Sequence, residues 1–390
     1  MTKKIKVMSI FGTRPEATKM APLIKVMEKN EHIEPVICVT AQHRQMLDQV
    51  LDIFKIRPDY DLDIMRQKQT LTDITTRALT GLENVMKEIN PDIVLVHGDT
   101  TTTFAGSLAA FYSQIKVGHV EAGLRTYDKY QPFPEEMNRK LTGAMADLHF
   151  APTKLAKEHL LKENISPEGI FITGNTAVDC LKTTIVKDYV FSLDILNKID
   201  YKNKRVITMT AHRRENLGKP LENICRAVLR VVEDNPDVEV VYAVHFNPLV
   251  QETARRILGN HERVHLTDPI DMKDMHNLMN LSYLVMTDSG GLQEEVPSMG
   301  KPVLVLRNVT ERPEGVEAGT LRLAGVSEEK IYKETSLLLN NSQVYEKMAG
   351  AKNPFGDGFA AERITDAILY YFGALKERPK DFIYNYSQST

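Results

Sequence analysis

Short apolar runs rich in Val and Ile alternate along the chain with longer segments whose apolar positions recur at helical spacing. In the first half the predicted strands are KVMSIF, PVICVT, DIVLVHGD, KVGHVE and LHFAP, separated by helical patterns such as QMLDQVLDIF and LTDITTRALTGLENVMKEIN. A second series begins with RVITMTAH and continues through VEVVYAVH, RVHLTD, YLVMTD and PVLVLR. Strands that alternate with helices are typical of βαβ units on a parallel sheet. The pattern therefore predicts an α/β chain with two doubly wound parallel sheets.

A charged stretch separates the two series. The segment VKDYVFSLDILNKIDYKNK lacks a clean strand and is expected to lie at or just past the link between domains. We place the boundary near residue 172, with one Rossmann-like domain over 1–172 and a second over 173–360. The helix predicted over 361–377 follows the second sheet and is expected to pack back on the first domain, and the tail RPKDFIYNYSQST is expected to be frayed. A chain of 390 residues exceeds the usual size of one core, which agrees with two domains.

Composition and charge exclude several classes of function. The chain is 42% hydrophobic and 26% charged, as globular proteins are, and its net charge of -3 provides no excess of cations for a nucleic-acid backbone. No apolar run approaches the roughly 20 residues that span a bilayer, and the N-terminal run is too short for a signal peptide. We therefore expect a soluble cytoplasmic protein without a membrane or nucleic-acid partner.

The sequence predicts neither a metal site nor a redox cofactor. Cys38, Cys180 and Cys225 lie far apart and lack the spacing of metal ligands or a disulfide framework. The segment NPFGDGFAAERI matches a dinucleotide fingerprint, but no strand precedes it. We interpret it as a loop that caps the last helix, so NAD is not implied.

The first βα turn, SIFGTRPEATKMAPL, is a candidate diphosphate site. Gly12 ends the predicted strand, and Arg14 and Lys19 follow at the start of a helix. Ligands of doubly wound folds bind at such strand ends, and helix N–H groups with two cations suit a diphosphate. The alternative is a tight turn followed by surface cations.

A second candidate phosphate turn is YLVMTDSGGLQEEV. An apolar strand runs into Asp288, Ser289, Gly290 and Gly291 and then a short helix, and glycines allow the backbone to approach a phosphate closely. Glu295, about one turn into that helix, is placed to accept hydrogen bonds from a ribose diol. The alternative is an ordinary turn in which glycine supplies a positive φ.

Acid–base candidates follow two consecutive strands of the first series. Asp99 follows DIVLVHG, Glu121 follows KVGHV, and Glu135 and Glu136 lie in PFPEEMNRK. The carboxyl ends of parallel strands open on one side of a sheet, so these segments should converge there, where burial can raise a carboxylate pKa. The alternative is that each acid caps the next helix.

Histidines divide into one functional candidate and several structural ones. His212, in TMTAHRRENLG, ends a predicted strand beside Arg213 and can hydrogen-bond a departing phosphate, although a satisfied structural histidine is the alternative. His97, His119 and His149 lie in or beside apolar strands and are interpreted as structural.

Seven motifs occur in a fixed order: FGTRPEATKMAPL, VHGDTTTTFAG, GHVEAGLRT, PFPEEMNR, TAHRRENLG, TDSGGLQEE and TERPEGVEAGT. With them the chain resembles the non-hydrolysing UDP-N-acetylglucosamine 2-epimerases over nearly its whole length. The resemblance implies a glycosyltransferase-B-like fold with the active site in the interdomain cleft, and reversible conversion of UDP-N-acetylglucosamine to UDP-N-acetylmannosamine. It also implies a cytoplasmic homodimer that needs no cofactor and supplies cell-surface polysaccharide synthesis.

The resemblance implies roles for individual residues. It implies that the catalytic groups are Asp99, Glu121, Glu135 and His212. It implies contacts to UDP from Arg14, Ser289, Gly290 and Glu295, an active-site position for Arg312, and Met275 at the uracil, where relatives often carry Phe. It further implies a second UDP-N-acetylglucosamine as allosteric activator, held by Gln42, Gln45, Arg213 and His245, with Lys68 where some relatives have Arg.

The chemistry constrains the mechanism. The C2 hydrogen of an N-acetylglucosamine residue is not next to a carbonyl, so its direct removal faces a prohibitive barrier. Breaking the C1–O bond first, with UDP leaving, makes that hydrogen labile and yields a 2-acetamidoglucal to which UDP adds back. Proton transfer on two faces calls for separate acid–base groups. Two rivals remain, a UDP-sugar glycosyltransferase of the same fold and a non-catalytic UDP-sugar sensor.

Overall fold

The computed structural model describes residues 3–42, 44–66 and 68–384, apart from the side chain of Gln45. The chain divides into two compact units, the first of which comprises the chain up to Lys182 and the segment from Phe355 onward. The second comprises Thr183–Pro354. The sequence had placed this division near residue 172.

Within the described residues, the first unit is built on a parallel sheet of seven strands in the order β3-β2-β1-β4-β5-β6-β7. The strands are β1 (Ile5–Phe11), β2 (Ile33–Val39), β3 (Tyr60–Asp61), β4 (Ile93–His97), β5 (Lys116–Val120), β6 (Leu148–Ala151) and β7 (Ile170–Ile172). The helices that connect them are α1 (Arg14–Met27), α2 (Arg44–Phe54), α3 (Leu71–Ile89), α4 (Thr101–Tyr112), α5 (Glu135–Met145) and α6 (Lys154–Lys162). Helix α7 (Thr176–Thr184) follows the last strand, and its last two residues belong to the second unit. The strand order reverses between β1 and β4, and the residues that follow these strands therefore lie at the switch point where such sheets bind ligands.

The second unit has, in the part of the chain that the structure describes, a parallel sheet of six strands in the order β10-β9-β8-β11-β12-β13. Its strands are β8 (Arg205–Thr210), β9 (Val238–Ala243), β10 (Val264–Thr267), β11 (Leu284–Thr287), β12 (Val303–Val305) and β13 (Leu321–Leu323). Its helices are α8 (Asp194–Asn197), α9 (Lys219–Asp234), α10 (Pro248–Leu258), α11 (Met272–Leu281), α12 (Gly290–Glu295), α13 (Pro313–Glu317), α14 (Glu328–Asn340) and α15 (Ser342–Ala349). The two predicted parallel sheets are confirmed.

Local signals explain where elements begin and end. Helix α3 starts at a capping box, in which Thr70 accepts from the Asp73 N–H and the Asp73 carboxylate accepts from the Thr70 N–H. It ends at Asn90, whose φ of 46° is left-handed, directly before Pro91. The charged stretch after residue 185 belongs to the second unit, because Phe191, Leu196 and Ile199 are buried in one of its apolar clusters.

The last helix, α16 (Ala360–Tyr371), packs against α1 in the first unit. It is shorter than the helix predicted over 361–377. The buried Asp179 carboxylate caps it by accepting the N–H groups of Ala361 at 2.8 Å and Ala360 at 3.3 Å. The loop before it, with Gly358 at φ 82°, is the segment that resembled a dinucleotide fingerprint.

The C-terminal tail is anchored, so its predicted fraying is wrong as far as Tyr384. Arg378 donates to the carbonyls of Glu168 and Ile170, at 2.8 and 2.6 Å. Asp381 accepts from the Ile172 N–H at 2.9 Å, and Phe382 donates to the Ile172 carbonyl at 2.7 Å. The segment therefore follows β7. Among the helices described, none combines the length and apolar character that crossing a bilayer requires.

Candidate functional site

The β1–α1 turn is closed by a glutamate rather than left open for phosphate. Glu16 is fully buried and accepts from the Gly12 N–H at 3.1 Å and from the Thr13 N–H at 2.8 Å. It also accepts the hydroxyls of Thr13 and Thr100, at 2.7 and 2.8 Å, and so ties this turn to the start of α4. Burial raises the pKa of Glu16 despite these bonds. The expectation that these N–H groups are available to a diphosphate is therefore wrong for Gly12 and Thr13.

The two cations of this turn differ in burial and in their contacts. Arg14, the first residue of α1, is exposed. Lys19, one turn further on, is mostly buried, and its ammonium donates to the Glu121 carboxylate. Gly12 is required sterically, because a Cβ there would lie 2.0 Å from the Thr40 hydroxyl oxygen. The structure thus places Lys19 among the candidate acid–base groups rather than beside Arg14.

Glu121 directly follows β5 and has a strained backbone. Its φ of 61° is left-handed, a conformation that costs a residue with a Cβ about 1 to 3 kcal/mol and that is found at functional sites. Its side chain is 10% exposed, and Oε2 accepts from Lys19 and, at 2.8 Å, from Asn175 Nδ2. His97 Nε2 lies 3.8 Å away. A buried carboxylate held by one cation and one amide in this way is suited to proton transfer.

Asp99 follows β4 and pairs with an arginine. Arg139 Nη2 lies 2.6 Å from Asp99 Oδ2, and Asn138 donates to the Asp99 carbonyl at 2.9 Å. The Asp99 side chain is 25% exposed, so it is accessible to a ligand. Because β4 and β5 are neighbours, Asp99 and Glu121 lie at the same end of adjacent strands, as the sequence predicted.

The two glutamates that begin α5 do different things. Glu136 is fully buried and accepts from the N–H groups of Thr126 and Tyr127 and from Arg139, so it anchors the preceding loop. Glu135 is half-buried at the first position of the helix. Arg139 therefore links the anchor Glu136 to the candidate catalytic Asp99. Sequence reasoning missed Arg139, which lies one helical turn after Glu136.

Three buried histidines stand on the central strands of the first unit. Burial lowers the pKa of His97 and of His149 to about 4, and that of His119 to about 3, so all three are neutral at neutral pH. His119 Nε2 bonds the Gly98 carbonyl at 2.7 Å, directly before Asp99. Their positions agree with the structural interpretation of these residues.

The activator candidates of the first unit follow β2, in the case of Gln42 and Gln45, and β3, in the case of Lys68. Gln42 accepts a hydrogen bond at 3.2 Å from the Thr102 hydroxyl, near the Gly12 turn. The Gln45 side chain lies outside the described residues. Lys68 is exposed, with a left-handed φ of 55°.

In the second unit, Asp288 organises the loop that carries His212 and Arg213. Its buried Oδ2 accepts the N–H groups of His212 and Arg213, both at 2.8 Å, and the Asn216 amide at 2.9 Å. Its Oδ1 lies 3.4 Å from His212 Nδ1. His212 in turn stacks on His245, with ring centroids 5.4 Å apart and an interplanar angle of 12°. This places His245, an activator candidate, next to a catalytic candidate.

Two guanidinium groups flank the Ser289-Gly290 turn. A Cβ built on Gly290 would lie 3.6 Å from Arg312 Nη2 and 3.8 Å from Arg213 Nη2. The Arg312 Nε donates to the buried Glu294 at 2.5 Å, which fixes its direction. Two cations beside a glycine at a helix start form a set of groups suited to an anion. The structure thus brings together four of the predicted residues, Arg213, Ser289, Gly290 and Arg312. Sequence reasoning missed Glu294, the partner of Arg312.

Glu295 and Met275 lie on neighbouring helices of the second unit. Glu295 ends α12, with its side chain 10% exposed and its Oε2 at 3.3 Å from His276 Nε2. Met275 of α11 is half-buried against the cluster that contains Phe191 and Leu196. His276 was not singled out from the sequence, because a histidine inside a helical pattern carries no signal of its own.

These groups are typical of a class of α/β enzyme, with candidate acid–base carboxylates at strand ends in one Rossmann-like unit and a cationic turn suited to an anion in the other. The described residues contain no cluster of three or more side chains placed to hold a metal ion.

Comparison with known proteins assigns the family. The model of the family described as UDP-N-acetylglucosamine 2-epimerase matches residues 25–369. The UDP-N-acetylglucosamine 2-epimerase of Bacillus subtilis is 58% identical over 380 residues, which are 97% of this chain and 99% of that protein. The solved structure of a relative from Listeria monocytogenes is 59% identical, with a TM-score of 0.92, and the match covers 98% of this chain and 100% of that one. The UDP-GlcNAc 2-epimerase of Neisseria meningitidis, solved bound to UDP-GlcNAc, is 46% identical with a TM-score of 0.84, over 94% and 100% of the chains.

The chain therefore belongs to the UDP-N-acetylglucosamine 2-epimerase family of enzymes, as its motifs predicted. The expected fold class, two Rossmann-like parallel-sheet domains of the glycosyltransferase-B type, is likewise confirmed.

Proposed function

We propose that the protein interconverts UDP-N-acetylglucosamine and UDP-N-acetylmannosamine by eliminating UDP to a 2-acetamidoglucal and adding it back on the other face. The observation that carries this proposal is the pair of carboxylates, Asp99 and Glu121, held at the ends of the adjacent strands β4 and β5. A relative of known structure was solved with UDP-GlcNAc bound, which supports the substrate. We further propose that the product supplies cell-surface polysaccharide synthesis.

The first unit is assigned the proton transfers. Elimination removes the C2 proton as the C1–O bond breaks, and re-addition returns a proton to the opposite face, so two groups are needed. Glu121 and Asp99 are held by different partners, Lys19 and Arg139, and are therefore two separate candidates for the two transfers. Glu135 is the third candidate. For Lys19 we propose a role at Glu121 instead of at the diphosphate.

The second unit is assigned the leaving UDP. Ser289, Gly290 and Arg312 are proposed to hold the diphosphate, and His212 to donate to the phosphate oxygen on which charge develops. Glu295 is proposed to accept from the ribose hydroxyls, and Met275 to pack on the uracil through its polarizable sulfur. Arg14 of the first unit is proposed to add a further donor to UDP.

Incubation of the purified protein with UDP-N-acetylglucosamine in deuterated water tests this function. Proton NMR should show deuterium at C2 of both sugars and the appearance of UDP-N-acetylmannosamine, without any acceptor molecule. Product formation with retention of the C2 proton, or release of free sugar as the only reaction, would refute the elimination route. A glycosyltransferase or a sensor would leave C2 protonated.

We also propose a second UDP-N-acetylglucosamine as activator, held by Gln42, Gln45 and Lys68 of the first unit and by Arg213 and His245 of the second. A ligand that shifts an equilibrium must bind one state more tightly than the other. The reverse reaction, started with UDP-N-acetylmannosamine alone, should then begin slowly and accelerate when a little UDP-N-acetylglucosamine is added. An immediate full rate would exclude the activator. A homodimer is proposed with it, and sedimentation velocity measures that state directly.

A further inference from the structure

A buried histidine lies against the carboxylate of Glu295. His276, on α11, is 3% exposed, and its Nε2 lies 3.3 Å from Glu295 Oε2. The Glu295 side chain is itself only 10% exposed, so this contact lies inside the fold. The ring is therefore placed to restrain the direction in which the carboxylate points.

The other side of the imidazole is held as well. His276 Nδ1 lies 2.7 Å from the hydroxyl oxygen of Thr184, a residue of the second unit with no exposed surface. The Thr184 carbonyl accepts from the Asn277 amide at 2.8 Å, and that amide also donates to the Lys273 carbonyl at 2.7 Å. Thr184 is thus fixed to the same helix that carries His276.

One tautomer satisfies both contacts of the ring. With the proton on Nε2, the imidazole presents N–H to the Glu295 carboxylate, and Nδ1 accepts from the Thr184 hydroxyl. The opposite tautomer would set a nitrogen lone pair against the carboxylate and is disfavoured. The Thr184 hydroxyl can donate or accept and so fits this tautomer, which the Glu295 carboxylate favours.

We infer that His276 is a positioning residue that orients Glu295 for the ribose hydroxyls and so sets the preference of the site for ribonucleotides. This inference rests on the proposed binding of UDP by the second unit. A carboxylate accepts two vicinal hydroxyls well only from a narrow range of orientations, and a free glutamate side chain loses rotamer entropy when it adopts one of them. Immobilising Glu295 before the ligand arrives removes that cost.

The location of His276 strengthens this assignment. It directly follows Met275, the proposed uracil contact, on α11. The same helix therefore supplies the packing for the base and the support for the carboxylate that faces the sugar. The preceding glutamate, Glu294, is committed to Arg312 and cannot substitute for Glu295.

Calorimetric titration with two ligands tests the role of His276. UDP and 2′,3′-dideoxy-UDP are titrated into the wild type, His276→Phe and His276→Gln. The wild type should bind UDP roughly tenfold or more tightly than the dideoxy ligand, the scale of hydrogen bonds to a charged group. His276→Phe should lose most of that ratio by weakening UDP alone, and His276→Gln, whose amide can donate to Glu295, should retain part of it.

A matched control is His265→Phe. His265 also pairs with a glutamate in the second unit, at 2.7 Å from Glu239, but on strands β10 and β9. This variant should keep the wild-type ratio of the two affinities. With UDP-N-acetylglucosamine as substrate, His276→Phe should raise KM while kcat stays close to wild type.

Several results would overturn the inference. If His276→Phe weakened both ligands equally, its role would be structural only, and if it weakened neither, Glu295 would not depend on it. A wild type that binds UDP without preferring it over the dideoxy ligand would remove Glu295 from the ribose while leaving the epimerase proposal intact. A wild type that exchanges no deuterium at C2 would refute the epimerase proposal, whatever its ribose preference.

Discussion

Replacing Asp288 by asparagine should slow the reaction while leaving UDP bound. Asp288 is fully buried, and its Oδ2 accepts three N–H donors of the loop from His212 to Asn216. Its Oδ1 has no hydrogen-bond partner among the described residues and lies 3.4 Å from His212 Nδ1. An ionised carboxylate in that position stabilises positive charge on the ring of His212, the proposed donor to the departing phosphate.

The size of the effect follows from these contacts. An asparagine oxygen can keep the three donors, whereas its NH₂ then faces Nδ1 and favours neutral imidazole. Hydrogen bonds of charged donors are worth about 1.5 to 3 kcal/mol, roughly twice those of neutral ones. Loss of half that amount, about 0.75 to 1.5 kcal/mol, corresponds to a kcat that is roughly 4- to 13-fold lower.

Three measurements decide this prediction: kcat by NMR, UDP affinity by calorimetry, and the free energy of unfolding in urea. Asp179→Asn is the matched control, because Asp179 is also buried and accepts two backbone N–H groups, but from Ala360 and Ala361. The control should change unfolding without changing kcat. If Asp288→Asn kept the wild-type kcat, the carboxylate would serve only to fold the loop.

Further predictions concern the first unit. Asp99→Asn and Glu121→Gln should each reduce C2 deuterium exchange by roughly a hundredfold or more, the scale of general acid–base catalysis, with UDP affinity unchanged by calorimetry; lost UDP binding would instead make them architectural. Burial lowers the pKa of His119 to about 3 and that of His149 to about 4. The unfolded chain therefore takes up protons that the native chain does not as pH falls below about 6.5, and each histidine should lower the free energy of unfolding by about 1.4 kcal/mol per pH unit between pH 6 and 4.5. In His149→Gln, the free energy of unfolding measured by urea titration should fall less steeply with falling pH, by about 1.4 kcal/mol per pH unit. An unchanged pH dependence would contradict the assignment.

The hydrophobic pattern predicted most of both sheets, for a physical reason. Strands covered on both faces need continuous apolar runs, which stand out in a sequence. The strands that it missed, β3, β7 and β13, are only two or three residues long and carry almost no pattern of their own. Each lies at an edge of its sheet and pairs with one parallel neighbour.

The anchored tail shows what a pattern cannot reveal. The tail is polar and has no periodicity, and its attachment depends on two side chains, Arg378 and Asp381, that bond the backbone around β7. Nothing in the local sequence distinguishes such charges from solvated ones. The closure of the Gly12 turn is different, because Thr13 and Glu16 form the spacing of a capping box and were readable as one.

The most instructive ambiguity is that of neighbouring glutamates, which occur both in PFPEE and in GGLQEE. Successive residues on a helix point about 100° apart, so two adjacent carboxylates cannot face the same surroundings. On α5, Glu136 turns inward to anchor a loop while Glu135 stays half-buried, and on α12, Glu294 holds Arg312 while Glu295 meets His276. In each pair, the carboxylate that is held by cations or backbone N–H groups has a structural role. Its neighbour is the candidate for contacting a ligand. Which member of a pair does which is decided by tertiary partners that the sequence does not place, and this is why a carboxylate motif locates a site well but assigns its chemistry only once the contacts are known.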